Sequence, residues 1–182
     1  MQTNCLLHPK RWLLPAVVAA LVCAGCASQQ ERAARRALVR QAVAEGVDSR
    51  QLRININSMS PMRYNTRTVS YGFYLHISGD SVESYLPYMG QVYRTPVVSS
   101  PQGLNFDAPI VDYQHYQPKS GLWRIDFTTS SEEDHYLYSI EVHDNGTALV
   151  RVRGEYRDPI SFIGDVDMPA ALTSKSHDQP QE

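Results

Sequence analysis

The chain has 182 residues, the length of about one domain. Its residues are 42% hydrophobic and 20% charged, so the chain can bury a core and is not of the disordered class. Seventeen Lys and Arg against 19 Asp and Glu give a net charge of −2, which disfavours a nucleic-acid partner, and three cysteines are too few for a disulfide scaffold.

Residues 1–25 are predicted to be a signal peptide. Lys10 and Arg11 supply a short positive region. Residues 12–24 follow as an uncharged apolar segment, shorter than the roughly 20 residues that a helix needs to cross a bilayer. The segment ends in Ala24-Gly25-Cys26, which resembles a bacterial lipobox, the site where a diacylglycerol is attached to a cysteine thiol. The resemblance implies that Cys26 carries the lipid and becomes the N-terminus after cleavage.

The same segment has other interpretations. It is also compatible with a plain secretory signal or an uncleaved helical anchor, and Cys23 and Cys26 have the C-x-x-C spacing of redox or metal pairs. The last is disfavoured because the sequence has no second pair. A lipidated Cys26 would carry two or three acyl chains, enough for stable anchoring. Residues 27–28 lack the aspartate that retains some lipoproteins in the inner membrane, so we expect an outer-membrane location, facing the periplasm or the surface.

An amphipathic helix is predicted directly behind the lipid, within residues 26–46. Residues 27–45 are good helix formers without Gly or Pro, and Gly46 is placed at the helix end. The apolar face consists of Leu38, Val39, Ala42 and Val43. Four arginines could contact anionic head groups: Arg32, Arg35, Arg36 and Arg40. The alternatives are a tether with a solvated face and a helix docked on the sheet.

After Gly46 the hydrophobic period changes to 2, which predicts half-buried antiparallel strands. The runs with one apolar and one mostly polar face are 52–57, 69–77, 123–128, 136–143 and 148–153. Turns are predicted at 78–81, 130–134 and 144–146, the last from an Asn-Gly pair typical of tight hairpins. Short edge strands and loops are expected in the middle third, around Pro87, Pro96, Pro101, Pro109 and Pro118.

These elements predict an α+β fold, an N-terminal helix followed by an antiparallel, meander-rich β-sheet domain over residues 47–168. A sheet with one apolar face must cover it with a helix or a second sheet, or close on itself. The alternative is therefore a small β-barrel or sandwich with a flanking helix. Residues 169–182 are rich in polar residues and are expected to form a flexible tail.

Four strings of residues stand out in the β domain. They are Ser84-Tyr85-Leu86-Pro87-Tyr88-Met89-Gly90, Gly103-Leu104-Asn105-Phe106, Asp144-Asn145-Gly146 and Arg157-Asp158-Pro159-Ile160-Ser161-Phe162-Ile163-Gly164. In this order they resemble the family catalogued as domain of unknown function 4251, secreted lipoproteins of anaerobic gut bacteria and their relatives. The likeness extends from about Val39 to Val166, although the family commonly has Arg-Ala-Tyr where this chain has Gln91-Val92-Tyr93. The resemblance implies the same fold and an envelope location, but no activity and no catalytic residues.

Catalytic and metal-binding motifs are absent from the sequence. It contains no Gly-x-Ser-x-Gly elbow, and the histidines at 76, 115, 135, 143 and 177 lie in unrelated contexts. The residues at 132–135, Glu-Glu-Asp-His, could in principle hold calcium, but they lack calcium-loop spacing and are predicted to form a solvated turn. We therefore expect no enzyme, no cofactor and no metal. The alternative is a hydrolase or lyase that acts on envelope or dietary polymers.

Tyrosine is the overrepresented residue type, with 11 Tyr against 4 Phe. Tyr85, Tyr88 and Tyr93 cluster around Pro87 and Gly90, and an apolar ring with a polar tip suits stacking on sugars or packing against a partner.

These three tyrosines are the predicted ligand or partner surface. The structural alternative is that the rings cap the open edge of the sheet and hydrogen-bond to the loop backbone. By the same reasoning, Arg157 is expected to pair with a carboxylate rather than with a ligand. The sequence thus predicts a membrane-anchored, non-catalytic binding or interaction module of the cell envelope. Its expected partner is an envelope protein or a glycan.

Overall fold

The computed structural model describes residues 13–94 and 103–169, and the chain divides into two units, Met1–Ala37 and Leu38–Glu182. Several predicted features therefore lie outside the described residues: the positive region at Lys10 and Arg11, two of the middle prolines at 96 and 101, His177, and nearly all of the predicted tail. Helix α1 spans Leu13–Asp48, and its last part belongs to the second unit.

The helix ends later than predicted. Gly46 is helical, and the main-chain N–H and the hydroxyl of Ser49 both donate to the carbonyl of Glu45, at 2.9 and 2.6 Å. Arg50 then adopts a left-handed backbone conformation with φ of 54° and terminates the helix, a position at which glycine is the common choice. Within the described part of the chain, no helical segment combines the length and apolarity that a bilayer crossing requires.

Nine strands follow the helix in the described residues. They are β1 (Gln51–Pro61), β2 (Arg67–Thr68), β3 (Tyr74–Ser78), β4 (Ser81–Pro87), β5 (Gly103–Lys119), β6 (Leu122–Ser130), β7 (His135–His143), β8 (Thr147–Gly154) and β9 (Ile160–Val166). All pairings are antiparallel, in the order β1, β3, β4, β5, β6, β7, β8, β9, and β9 pairs with β1. The sheet therefore closes into an eight-stranded barrel, with β2 added beside β1. The predicted helix and antiparallel sheet are confirmed, in the form of the barrel that was the alternative.

The alternating pattern produces the barrel because every second residue points inward. The inward side chains of β3 are Leu75 and Ile77, and both are completely buried. The largest fully buried side chains are Tyr138, Phe127 and Phe162, whose rings fill the interior. The predicted turns at 78–81, 130–134 and 144–146 each join two neighbouring strands of the barrel.

Two strand predictions are wrong in extent, and one strand was not predicted. The run 69–77 breaks at a turn formed by residues 71–72, where Tyr71 is fully exposed, and only residues 74–78 enter the barrel. The proline-rich middle contains β5, the longest of the described strands. The strand tolerates its prolines because of where they lie: Pro109 pairs with the first residue of β4, and Pro118 lies further along β5, where the strand pairs only with β6. The strand β9 was recognised only as part of a sequence string.

The segment Leu38–Asp48 of α1 lies across one end of the barrel. Val43 and Val47 are completely buried and belong to the core. Arg40 pairs with Asp144 in the turn between β7 and β8, at 2.8 Å. For this part of the helix, the alternative of docking on the sheet is therefore confirmed. Tyr88 and Tyr93, two of the predicted tyrosines, lie at the opposite end of the barrel, beside the loop between β8 and β9.

Candidate functional site

The structure separates the three predicted tyrosines into two groups. Tyr88 and Tyr93 both bond to Asp158, in the loop between β8 and β9. Tyr85 lies on the outer surface of β4, where its ring is 44% exposed and contacts Phe73. Contiguity in sequence therefore does not create one tyrosine surface, and each group must be considered by itself.

Asp158 is the centre of the first group. Its side chain is only 4% exposed and accepts hydrogen bonds from the Tyr93 hydroxyl at 2.5 Å, the Arg63 Nε at 2.9 Å and the Gln91 main-chain N–H at 3.2 Å. These bonds, that of Tyr93 foremost, lower the pKa of Asp158 below its ordinary value. Arg63 supplies the cation beside Asp158.

Tyr88 folds back over its own loop. Its hydroxyl lies 3.0 Å from the carbonyl of Gln91 and 3.1 Å from that of Asp158, and burial raises its pKa to about 12. A Cβ atom on Gly90 would lie 2.5 Å from this hydroxyl, so only glycine leaves room for the ring. Tyr88 therefore bonds to the loop backbone, as the structural alternative expected.

Arg157 is the main buried cation at this end of the barrel. Its side chain is 7% exposed; Nη2 contacts Glu133 at 2.9 Å and Nε lies 3.3 Å from Asp134. The guanidinium also faces the rings of Tyr88 and Tyr136, at 5.2 and 5.6 Å from the ring centroids. The prediction that Arg157 pairs with a carboxylate is confirmed.

The turn at 130–134 is not simply solvated, and this part of the prediction is wrong. Asp134 is buried, and its Oδ1 accepts main-chain N–H bonds from His135 at 2.8 Å, Glu155 at 3.0 Å and Tyr156 at 3.3 Å, which compensate the loss of water. The carboxylate thus ties this turn to the loop after β8. In residues 13–94 and 103–169, three or more His, Cys, Asp or Glu side chains do not converge in a way that could hold a metal ion. Side chains that interact at this end of the barrel are those of Arg63, Tyr88, Tyr93, Glu133, Asp134, Arg157 and Asp158.

Tyr85 belongs to a row of aromatic residues formed by Phe73, Tyr74 and Tyr85, of which Phe73 also packs against the core. The Tyr85 ring stacks on Phe73 at 5.4 Å between centroids and is tilted against Tyr74 at 5.8 Å. Arg53 lies over the Tyr74 ring at 3.6 Å, and the Tyr74 hydroxyl donates to Glu83. The row is thus held rigidly while the Tyr85 ring stays accessible.

A groove of about 590 Å³, which the sequence did not reveal, opens between the first half of β5 and the turn between β6 and β7. Its lining includes Asn105, Phe106, Asp107, Glu132, Glu133 and Tyr136. Phe106 and Tyr136 stack at 5.0 Å between their centroids. In the sequence, this region was marked only by the string Gly103-Leu104-Asn105-Phe106. The string borders a groove because β5 does not pair with β6 along these residues.

The described histidines do not converge. His76 lies beside Glu83 at 3.6 Å, His115 beside Asp48 at 3.4 Å, and the Nδ1 of His135 bonds to the Ser130 hydroxyl at 2.6 Å.

The remaining tyrosines of the middle region lie elsewhere on the barrel. Tyr113 packs under Arg50, and Tyr116 is exposed on β5.

Comparison with known proteins bears on the family and the fold. The family model described as domain of unknown function (DUF4251) matches residues 34–166. The crystal structure of a DUF4251 family protein from Bacteroides eggerthii DSM 20697 is similar, with a TM-score of 0.55, 12% identity, and coverage of 71% of this chain and 87% of that chain. None of the curated proteins matches this chain. At this identity the solved structure supports the fold alone, but the family match spans most of the sequence, and the chain therefore belongs to the DUF4251 family.

Proposed function

We propose that this protein is a lipid-anchored, non-catalytic binding module of the cell envelope. A diacylglycerol on Cys26 would hold it on the membrane, most simply the outer membrane, and the barrel would present a binding surface to an envelope protein or a glycan. The anchor is supported by the charged start, the apolar segment and the small residues before Cys26.

The observation that carries the binding role is the aromatic row. The Tyr85 ring is 44% exposed although it is stacked on Phe73 and fixed beside Tyr74. A tyrosine that is already immobilised loses little conformational entropy when a partner covers it, and such rings often dominate binding energy. The row therefore provides a preorganised contact surface.

Tyr88 and Tyr93 contribute differently. Tyr88 is half-buried and holds its loop, so we assign it a positioning role. Tyr93 donates its hydroxyl to Asp158 but leaves its ring 61% exposed, and it offers a second contact of the same chemistry.

The non-catalytic part of the proposal is supported by how the buried carboxylates are used. Asp134 is bound by three main-chain N–H groups and lies beside Arg157, and Asp158 is bound by Tyr93, Gln91 and Arg63. A general acid or base needs a carboxyl group that is free to exchange a proton with substrate. These two side chains instead serve to fasten loops together.

The anchor is tested by substitution of Cys26. Cys26→Ala is expected to move the protein from the membrane fraction of the native host to the soluble fraction, and metabolic labelling with an alkyne fatty acid should disappear. Cys23→Ala is the matched control, because it changes a cysteine of the same segment and should leave labelling intact. Continued labelling of Cys26→Ala would contradict the proposal.

The binding surface is tested by crosslinking in envelope extracts. Tyr85→Ala is expected to lose the crosslinked partner while the circular dichroism of the barrel is unchanged. Tyr116→Ala is the matched control, because this ring is similarly exposed, at 48%, on a different strand. Equal loss in both variants, or no crosslinked partner for the wild-type protein, would contradict the proposal.

A further inference from the structure

The groove is bordered by an open strand edge. Residues 103–109 of β5 pair with β4, but the pairing of β5 with β6 begins only at Ile110, opposite Thr129. Among the residues that the structure describes, the side of β5 that faces the groove therefore has no strand partner along residues 103–109. Such an edge carries main-chain donors and acceptors in the geometry that accepts another strand.

The hydrogen-bond pattern identifies which residues supply those groups. The main-chain N–H of Ile110 donates to the carbonyl of Asp80 at 2.8 Å, on the side of β4. Main-chain groups alternate in direction along an antiparallel strand, so Leu104, Phe106 and Ala108 also bond toward β4. The main-chain N–H and C=O groups of Asn105 and Asp107 consequently point toward the groove, and both residues are exposed.

The open edge has a defined end. Pro109 has no N–H, and its carbonyl accepts a hydrogen bond from the Thr129 hydroxyl at 2.8 Å. From Ile110 onward, β5 pairs with β6. The free edge from Gly103 to Asp107 matches an extended segment of about five residues.

The charges around the groove indicate the charge of the segment that it would bind. Among the described residues, the lining includes the carboxylates of Asp107, Glu132 and Glu133 and contains no Lys, Arg or His. Arg157 pairs with Glu133, whereas the described residues provide no ion-pair partner for Asp107 or Glu132. An occupant with basic side chains would supply the missing charge.

We propose that the groove binds an extended, basic segment of a partner polypeptide, which adds to β5 as a strand. The main chain of the partner would pair with Asn105 and Asp107, and its Lys or Arg side chains would face Asp107 and Glu132. This mode combines main-chain hydrogen bonds, which give affinity, with side-chain contacts that give specificity. The proposal concerns a different surface from the aromatic row and does not depend on it.

The test uses the full chain in detergent and the peptide acetyl-Thr-Lys-Val-Lys-Thr-amide as the probe. Binding is followed by two-dimensional NMR and by amide hydrogen exchange. We expect a Kd below about 1 mM, with shifted and slowly exchanging amide signals at Asn105 and Asp107. Two further probes carry N-methyl groups on the odd or on the even residues; strand pairing predicts that one of the two loses at least tenfold in affinity, because alternate N–H groups make the bonds.

The variant Asp107→Asn/Glu132→Gln is expected to bind the probe about tenfold more weakly, and a peptide with Glu in place of Lys should not bind. Asp112→Asn is the control, because it removes an exposed carboxylate from the same strand outside the groove. Tyr85→Ala should leave peptide binding unchanged, which separates this proposal from that of the aromatic row.

Several results would overturn the proposal. These are no binding at about 1 mM, equal affinity of both N-methylated probes, or equal affinity of the charge variant and the wild-type protein. Spermidine that binds as tightly as the peptide would show that the groove attracts cations without strand pairing. Protection of the Asn105 amide that rises with protein concentration, without peptide, would identify a second copy of the chain as the occupant.

Discussion

A Cβ atom on Gly164 would overlap the main-chain carbonyl of Asn55. Gly164 pairs with Ile56 at the position where the register of β1 and β9 shifts between Ile56 and Ser58. This pairing closes the barrel, so the close approach of the two backbones is a condition of closure. The last glycine of the string that begins at Arg157 therefore has a structural reason to be glycine.

Gly164→Ala is expected to lower the free energy of unfolding by about 1–3 kcal/mol, because the new methyl group meets a main-chain atom that cannot rotate away. Urea denaturation measures the change. Ser161→Ala, on the same strand but with a partly exposed side chain, should change the free energy by less than about 0.5 kcal/mol. Equal effects of the two substitutions would contradict this account of closure.

The strands that sequence periodicity predicted well are those with one face inside the barrel and one outside. The run 136–143 is an example, because Tyr138 and Ile140 are completely buried and Ser139 between them is not. Closure was left open as an alternative because it depends on the pairing of β1 with β9, which are far apart in sequence. Periodicity gives the faces of a strand but not its neighbours.

Arg157→Ala is expected to cost about 3–5 kcal/mol, since it leaves the buried Asp134 and the partly buried Glu133 without their cation. Arg63→Ala should cost much less, because the Arg63 side chain is half exposed and solvent screens its pairing with Asp158. Thermal or urea unfolding distinguishes the two.

If Arg157→Ala does not fold, the double variant Arg157→Ala/Glu133→Gln provides the check. It removes one of the two carboxylates that lose their partner, so it should be more stable than the single variant. A double variant that is less stable than Arg157→Ala would show that the carboxylate of Glu133 is not held by Arg157.

Stability is expected to fall at acidic pH through Asp158. Its folded pKa is lowered, chiefly by the Tyr93 hydrogen bond, so the ionised form is the one that the fold stabilises. This contribution is complete above the pKa of the unfolded chain, about 4, and is lost as the pH falls through the lower folded value. The free-energy difference between wild type and Asp158→Asn should therefore be largest near neutral pH and shrink toward pH of about 2.

Tyr93→Phe provides the control for this pH dependence. It removes the largest cause of the lowered pKa while the carboxyl group remains. The acid-dependent loss of stability should therefore become smaller than in the wild-type protein, as measured by urea denaturation at several pH values. An unchanged pH profile would show that Tyr93 does not stabilise the Asp158 carboxylate.

The candidate site was only partly predictable. The sequence identified Tyr85, Tyr88 and Tyr93 as neighbours, but they do not share one surface. Tyr85 lies on β4 and points outward, whereas Tyr88 and Tyr93 lie in the loop after β4 and bond to Asp158. Asp134 was expected in solvent because acidic residues in a turn usually are. Its burial follows from main-chain N–H groups of a loop about 20 residues later, which a local pattern does not reveal.

Tyr138 is completely buried, and its hydroxyl can be tested by single-atom deletion. It lies 3.1 Å from the Ser84 hydroxyl, which donates to the carbonyl of Leu104 at 2.8 Å, so Tyr138 is the donor to Ser84. Tyr138→Phe should cost about 0.5–1.5 kcal/mol, and Ser84→Ala about 1–3 kcal/mol because it leaves the Tyr138 hydroxyl unpaired. The double variant should cost less than the sum of the two, as measured by urea denaturation, because the second substitution then removes a group that has already lost its partner. If the cost of the double variant equals the sum of the two single costs, the Tyr138 hydroxyl does not donate to Ser84, since two independent hydroxyls would show no coupling.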